Sequence, residues 1–224
     1  MLQPEFTVVP PQPGKLIVSQ ETKKNTYPMG FTTGGLFRRE SVKLAAMYSK
    51  DRDWAVLKES VLAGNSLQTR TISTANRVFR EVCTRMKTLY SDEMDLFLSG
   101  TEQEQGYLLW VAVCRRYPFI AEFAREVIRE RFVSLKGDLK KEDFDFFFHR
   151  KAESHPELDE IKMTTRKKLR QVVFKILREA DLLLPNNSIN AAILSPKFLN
   201  VVSLDHFQDL LIFPMFETEF RARG

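Results

Sequence analysis

At 224 residues, with 43% hydrophobic content and 18 phenylalanines, the chain is long enough for one large domain or two small ones and has the apolar material for a core. That excludes an intrinsically disordered polyelectrolyte. The formal charge of +5 names no partner by itself, but the basic residues are unevenly placed, which brings an anionic partner into consideration.

The first 30 residues carry Pro4, Pro10, Pro11 and Pro13, so they read as a Pro-rich arm, with one short extended piece at Leu16–Ser19. They lack the basic-then-apolar order of a signal peptide, and the cytoplasm is the expected location. A helix is expected where Phe37, Ser41, Leu44 and Tyr48 share a stripe, capped at Thr33 or Gly34. A second is expected from Asp51 to Leu62, stopped by Gly64-Asn65. Ser73 is placed to cap a third, whose Ala75, Val78, Phe79, Val82, Met86 and Leu89 repeat at helical spacing.

Ser91 to Gly100 reads as a short acidic helix, Glu102 to Tyr117 as a helix apolar nearly all round, and Phe119 to Leu135 as another after the break at Pro118. The longest apolar run, Tyr107 to Cys114, is far too short at about 1.5 Å per residue to span a bilayer core of roughly 30 Å. Lys136-Gly137-Asp138 is the best domain boundary. It separates a helical domain at 31–136 from a C-terminal domain at 137–224. Beyond it come a Phe-rich helix from Leu139 to Ala152, a short one from Pro156 to Ile161, and a helix from Thr164 or Thr165 to Ala180. Leu182–Leu184, the turn Pro185-Asn186-Asn187 and Ile189–Leu194 then read as a small β-hairpin. The fold class is therefore mainly α, a multi-helix domain followed by a winged helix-turn-helix-like part.

Ile161 to Arg178 contains Lys162, Arg166, Lys167, Lys168, Arg170, Lys175 and Arg178 and no acidic residue. In a helix-turn-helix the first turn of the second helix meets bases and phosphates, which selects Thr165, Arg166, Lys167, Lys168 and Arg170 as candidate DNA contacts. A second cluster holds Arg70, Arg77, Arg80, Arg85 and Lys87, with Glu81 the sole acid between Ser66 and Tyr90. Arg70, Arg77 and Arg80 are the candidates there, because donors of this type serve phosphate contacts. A solvated basic face is the competing reading for both helices.

Phe31-Thr32-Thr33-Gly34-Gly35 lacks the Gly-Lys-Ser/Thr end of a P-loop, so the glycines read as packing or turn residues. His149, His155 and His206 have no metal-ligand or nucleophile spacing. Asp143 and Asp145, two apart on a helix, point to different sides. Cys83 and Cys114 read as buried thiols in a reducing compartment. No cofactor, metal or catalytic site is expected.

The order and spacing of longer stretches add a resemblance. Phe31 to Ser41, Asp53-Trp54, Leu67-Gln68-Thr69-Arg70-Thr71, Ser73-Thr74-Ala75 with Arg77, Arg115-Arg116-Tyr117 with Phe123, and Lys168 to Phe174 with Leu177-Arg178-Glu179-Ala180 resemble the BrxA family of BREX bacteriophage-exclusion systems. The resemblance runs from about Phe31 to Leu199. It implies a small helical accessory protein, likened to the NusB antitermination fold and regarded as DNA-binding, that works beside a methyltransferase, an ATPase and a phosphatase-like component. The expected function is then non-catalytic binding of double-stranded DNA in phage defence. An RNA binder in the NusB manner and a protein scaffold within the defence complex are the alternatives.

Overall fold

The computed structural model describes residues 26–32, 34–51, 53–203 and 207–216. Most of the Pro-rich arm, including Leu16–Ser19, lies outside the described residues, as do Thr33 and His206. The chain is mainly helical, with α1 (Arg38–Asp51), α2 (Trp54–Ala63), α3 (Ile72–Met86), α4 (Ser91–Ser99), α5 (Glu102–Arg116), α6 (Pro118–Phe123), α7 (Glu130–Val133), α8 (Lys141–Ala152), α9 (Met163–Glu179) and α10 (Pro196–Ser203). A π-helical segment, Ala124–Arg129, joins α6 to α7, and 3-10 turns occupy Pro156–Leu158 and Phe207–Ile212.

Sequence chemistry sets these ends. Asp53 starts α2 by accepting from the amides of Ala55 (2.7 Å) and Val56 (3.4 Å). Thr101 and Glu104 form a reciprocal capping box at the start of α5. The cap of α3 is Thr71 rather than Ser73: Thr71 has extended backbone, and its hydroxyl accepts from the Thr74 amide at 3.1 Å. Ser73 falls inside the first turn, because several Ser/Thr residues in a row offer more than one register for a cap. Helix α10 has no counterpart among the predicted elements. Its signal is the pair Ser195-Pro196, a capping hydroxyl that accepts from the Phe198 amide at 3.0 Å, followed by proline in the first turn.

α5 is the axis of the fold. Tyr107 to Cys114 are all buried, as expected of a helix with neighbours on every side, and α3, α4, α6 and α9 all pack against it. One hydrophobic cluster continues from Phe31 to Met215. At its densest part the ring of Phe119 meets Phe144, Phe147 and Phe148 edge-on, with centroids 5.8, 5.1 and 5.7 Å away. The Phe-rich run of α8 is therefore core, apart from Phe146, which is exposed.

The turn expected after α9 forms, with the Leu184 amide donating to Ser188 O at 2.8 Å and Asn187 at φ +66°. Pairing around it consists of two isolated antiparallel bridges, Leu183–Ile189 and Asp138–Ser188, with no longer ladder. The segment around Gly137 thus closes on the turn, its carbonyl accepting from the Ile189 amide at 2.7 Å.

Candidate nucleic-acid interface

α3 buries Ala75, Val78, Phe79, Val82 and Met86 and turns Arg77, Arg80 and Lys87 outward. α2 lies beside it, and a groove of about 680 Å³ opens between them. Its walls carry Lys58, Arg77, Arg80 and Lys87, with Trp54 and Asn76, and none of the lining residues is acidic. Among the described residues no carboxylate lies within 4 Å of any of these four cations. The reason is visible in the same helix. Glu81, its lone acid, faces inward to Arg85 at 2.7 Å and accepts from the Tyr117 hydroxyl at 2.6 Å. Arg85 itself is 2% exposed, donates to Gly35 O at 2.7 Å and belongs to the core. The outer face of α3 thus keeps its positive charge while the neutralising acid is spent inside.

Cys83 also lines the groove, but burial pushes its thiol up to about 12, so it stays protonated near neutrality. Arg70 is exposed in the loop before α3 and does not line the groove. That loop is ordered by Asn65, whose side chain accepts from the Thr69 amide at 3.1 Å and donates to its carbonyl at 3.3 Å.

The basic residues of α9 are arranged differently. Arg166 is 7% exposed; it donates to His149 Nε2 and, at 2.8 Å, to Asp145 O, and its guanidinium lies 4.5 Å from the Phe148 ring centroid. Arg170 pairs with the Asp145 carboxylate, Lys175 faces Glu179 at 3.6 Å, and Arg178 donates to Asn187 at 2.6 Å. The segment has no acid of its own, but α8 supplies one across the interface. Lys167 and Lys168 remain exposed without an ion-pair partner among the described residues, and Thr165 is half-buried. Arg77 and Arg80 are thus brought together in one groove, and Arg166 and Arg170 on one carboxylate, while α3 and α9 pack separately on α5. Trp54 and Lys58 were not among the sequence candidates. Their i, i+4 spacing on α2 is the available signal, but which helix they face is a tertiary property.

The glycine-rich entry to α1 receives its anion from the chain itself. Glu179, on α9, accepts from the Leu36 amide at 2.5 Å, and a Cβ at Gly35 would fall inside that carboxylate. Gly35→Ala is therefore expected to strip a buried amide of its acceptor and to cost about 2 kcal/mol. That corresponds to a fall of roughly 6 °C in Tm for a chain of this size, measurable by thermal melting. An unchanged Tm would show that the carboxylate is not needed there.

Two of the three histidines serve structure: His149 meets Arg166, and His155 stacks on Tyr27 at 4.0 Å and contacts Glu157 at 3.2 Å. Asp143 faces Arg131 whereas Asp145 faces Arg166 and Arg170, so the two carboxylates share no site. Among the described residues no group of three or more His, Cys, Asp or Glu is placed to hold a metal ion, and no helix is long and apolar enough to cross a membrane.

A crystal structure of an uncharacterized protein from Magnetospirillum magneticum superposes with a TM-score of 0.69 over 84% of this chain and 97% of that one, at 17% identity, which establishes a shared fold. Two curated relatives are both named BREX protein BrxA. The one from Escherichia coli O9:H4 (strain HS) is 28% identical over 66% of this chain and 69% of its own length. The one from Bacillus cereus (strain H3081.97) is 26% identical over 84% and 93%. The BrxA family model matches residues 25–204, a span that includes the groove, both basic helices and the Glu179 contact, and the chain belongs to the BrxA family.

Proposed function

We propose that this chain is a non-catalytic accessory protein of a BREX phage-defence system and that it binds double-stranded DNA through phosphate contacts in the α2–α3 groove. The observation that carries this reading is the set of four cations, Lys58, Arg77, Arg80 and Lys87, that have no carboxylate partner among the described residues, in a groove whose lining residues include no acid. An unpaired cationic groove is what a polyphosphate backbone fills most favourably, because binding releases condensed counterions. Exposed Lys167 and Lys168 on α9 offer a second backbone contact. Sequence preference should be slight, since phosphate contacts set position rather than specificity.

The two relatives are by name BREX proteins, which supports action beside other components of such a system; a methyltransferase, an ATPase and a phosphatase-like protein are the partners we propose, with the cytoplasm as the place of action. In this reading the protein positions a defence complex on DNA, with residues 31–136 as the DNA-contacting helical part and 137–224 as the C-terminal part.

The test is fluorescence anisotropy of a labelled duplex over a salt series. Four neutralised phosphates give a slope of log affinity against log salt of about −3.6, or roughly a hundredfold loss between 50 and 200 mM. Arg77→Glu with Arg80→Glu, both at exposed positions, is expected to weaken binding more than tenfold and to flatten the slope by about 2. Absence of duplex binding even at low salt would refute the reading and favour an RNA or an acidic protein surface.

A further inference from the structure

A second groove, of about 560 Å³, continues from the first and shares Trp54 and Lys87 with it. Its chemistry is different. Its lining includes Tyr48, Met86, Leu89, Met94 and Leu98, with one carboxylate, Asp95. Tyr48 stacks on Trp54 with centroids 4.1 Å apart and planes 17° from parallel, so the indole is held in a fixed plane at the junction of the two grooves. The Lys87 ammonium lies 5.9 Å from the Trp54 ring centroid, at the same junction.

We propose that this second groove is a receptor for an unpaired nucleobase of a DNA strand whose phosphates lie in the first. The inference rests on the nucleic-acid reading above and deepens it. The two grooves divide the chemistry of a nucleotide between them. Four cations without an acid suit phosphates, whereas an aromatic ring beside thioether and aliphatic side chains suits the flat apolar face of a base. Asp95 strengthens the division, because a carboxylate repels phosphate and accepts from the exocyclic amine of adenine, cytosine or guanine. Lys87 stands where the strand would pass from backbone to base, as a cation that can reach the linking phosphate. In an intact duplex every base is stacked and paired, so Trp54 has no face to receive. A strand with a bulged or frayed nucleotide presents one without the cost of extrusion.

The experiment compares two labelled DNA duplexes of one sequence, fully paired and carrying a single unpaired 2-aminopurine bulge, in the full-length protein at one salt concentration. Stacking of one base supports about a tenfold preference for the bulged duplex, accompanied by quenching of the 2-aminopurine emission. Trp54→Ala is expected to bring the affinity ratio of the two duplexes close to one and to remove the quenching. Leu98→Asp, at a position already 37% exposed and lining the second groove alone, is expected to do the same and guards against a folding defect in the Trp54 variant. Equal affinity of the wild type for the two duplexes, with binding still sensitive to Arg77→Glu and Arg80→Glu, would overturn the base receptor and leave the phosphate groove standing. Absence of binding to either duplex at low salt would overturn both.

Discussion

Glu93→Ala is expected to lower stability by about 4 kcal/mol, a large fraction of the roughly 5–15 kcal/mol that holds a folded domain together. Glu93 is 1% exposed, and its carboxylate takes both terminal nitrogens of Arg115 at 2.6 Å while also accepting from the Tyr90 amide at 2.9 Å. Arg115 continues the network to Thr88 O at 2.8 Å and to Asp209 at 2.8 Å, and its guanidinium lies 4.7 Å from the Tyr90 ring centroid. One buried pair thus ties the turn before α4, the end of α5 and the C-terminal 3-10 turn. Removing the acid takes the more buried of its two carboxylates from a guanidinium that is largely out of water and leaves it Asp209 alone, and that incomplete pairing, more than the lost attraction, sets the size of the effect. Urea denaturation of the variant and of the double variant Glu93→Leu with Arg115→Met separates these contributions. The double variant is expected to recover part of the loss, since the apolar pair carries no buried charge, while Asp209, partly exposed, loses its arginine and must turn to solvent. A loss below about 1 kcal/mol for Glu93→Ala would mean that water reaches the pair.

The same network explains which parts of the sequence were legible. The helices up to α9 followed from apolar spacing, and α3 and α5 were clear because one has a strict stripe and the other has no polar face along 107–114. The stretches that resemble BrxA proteins include residues of the buried polar framework: Gly35 and Leu36 against Arg85 and Glu179, Arg115 against Glu93, and Tyr117 against Glu81. Such contacts join residues 22 to 143 positions apart, so spacing along the chain gives no sign of them. The pattern was recognisable as a family signature while the reason for it lay in tertiary structure.

The basic residues were less legible for a reason that periodicity does contain. Positions 75, 78, 82 and 85 are spaced by three and four along α3, and so are 166, 169, 173 and 176 along α9. Arg85 and Arg166 therefore stand in the buried stripes, at 2% and 7% exposure, among residues that are otherwise apolar. Counting basic residues treats them as surface charge. Placing them on the stripe separates them from Arg77, Arg80, Lys167 and Lys168, which lie off it and are exposed. The absence of acids within 161–178 was likewise a local fact, since Asp145 reaches α9 from another helix.

Arg166→Ala is the prediction that tests this distinction, with an expected loss of about 3 kcal/mol in stability and no loss of DNA affinity in the folded protein. The side chain bridges α9 to α8 through His149 and Asp145 and lies over the Phe148 ring, whose other neighbours include Phe119. Its removal leaves the Asp145 carbonyl without that donor and opens space beside the ring cluster, two costs that add. Arg166→Met fills the space without the hydrogen bonds and is expected to recover part of the loss. Chemical denaturation gives the stability, and anisotropy at a temperature where the variant is fully folded gives the affinity. If Arg166→Ala instead kept its stability and lost DNA binding, the guanidinium would have to leave Asp145 and His149 for a phosphate. The first turn of α9 would then carry the DNA contact that its sequence suggests.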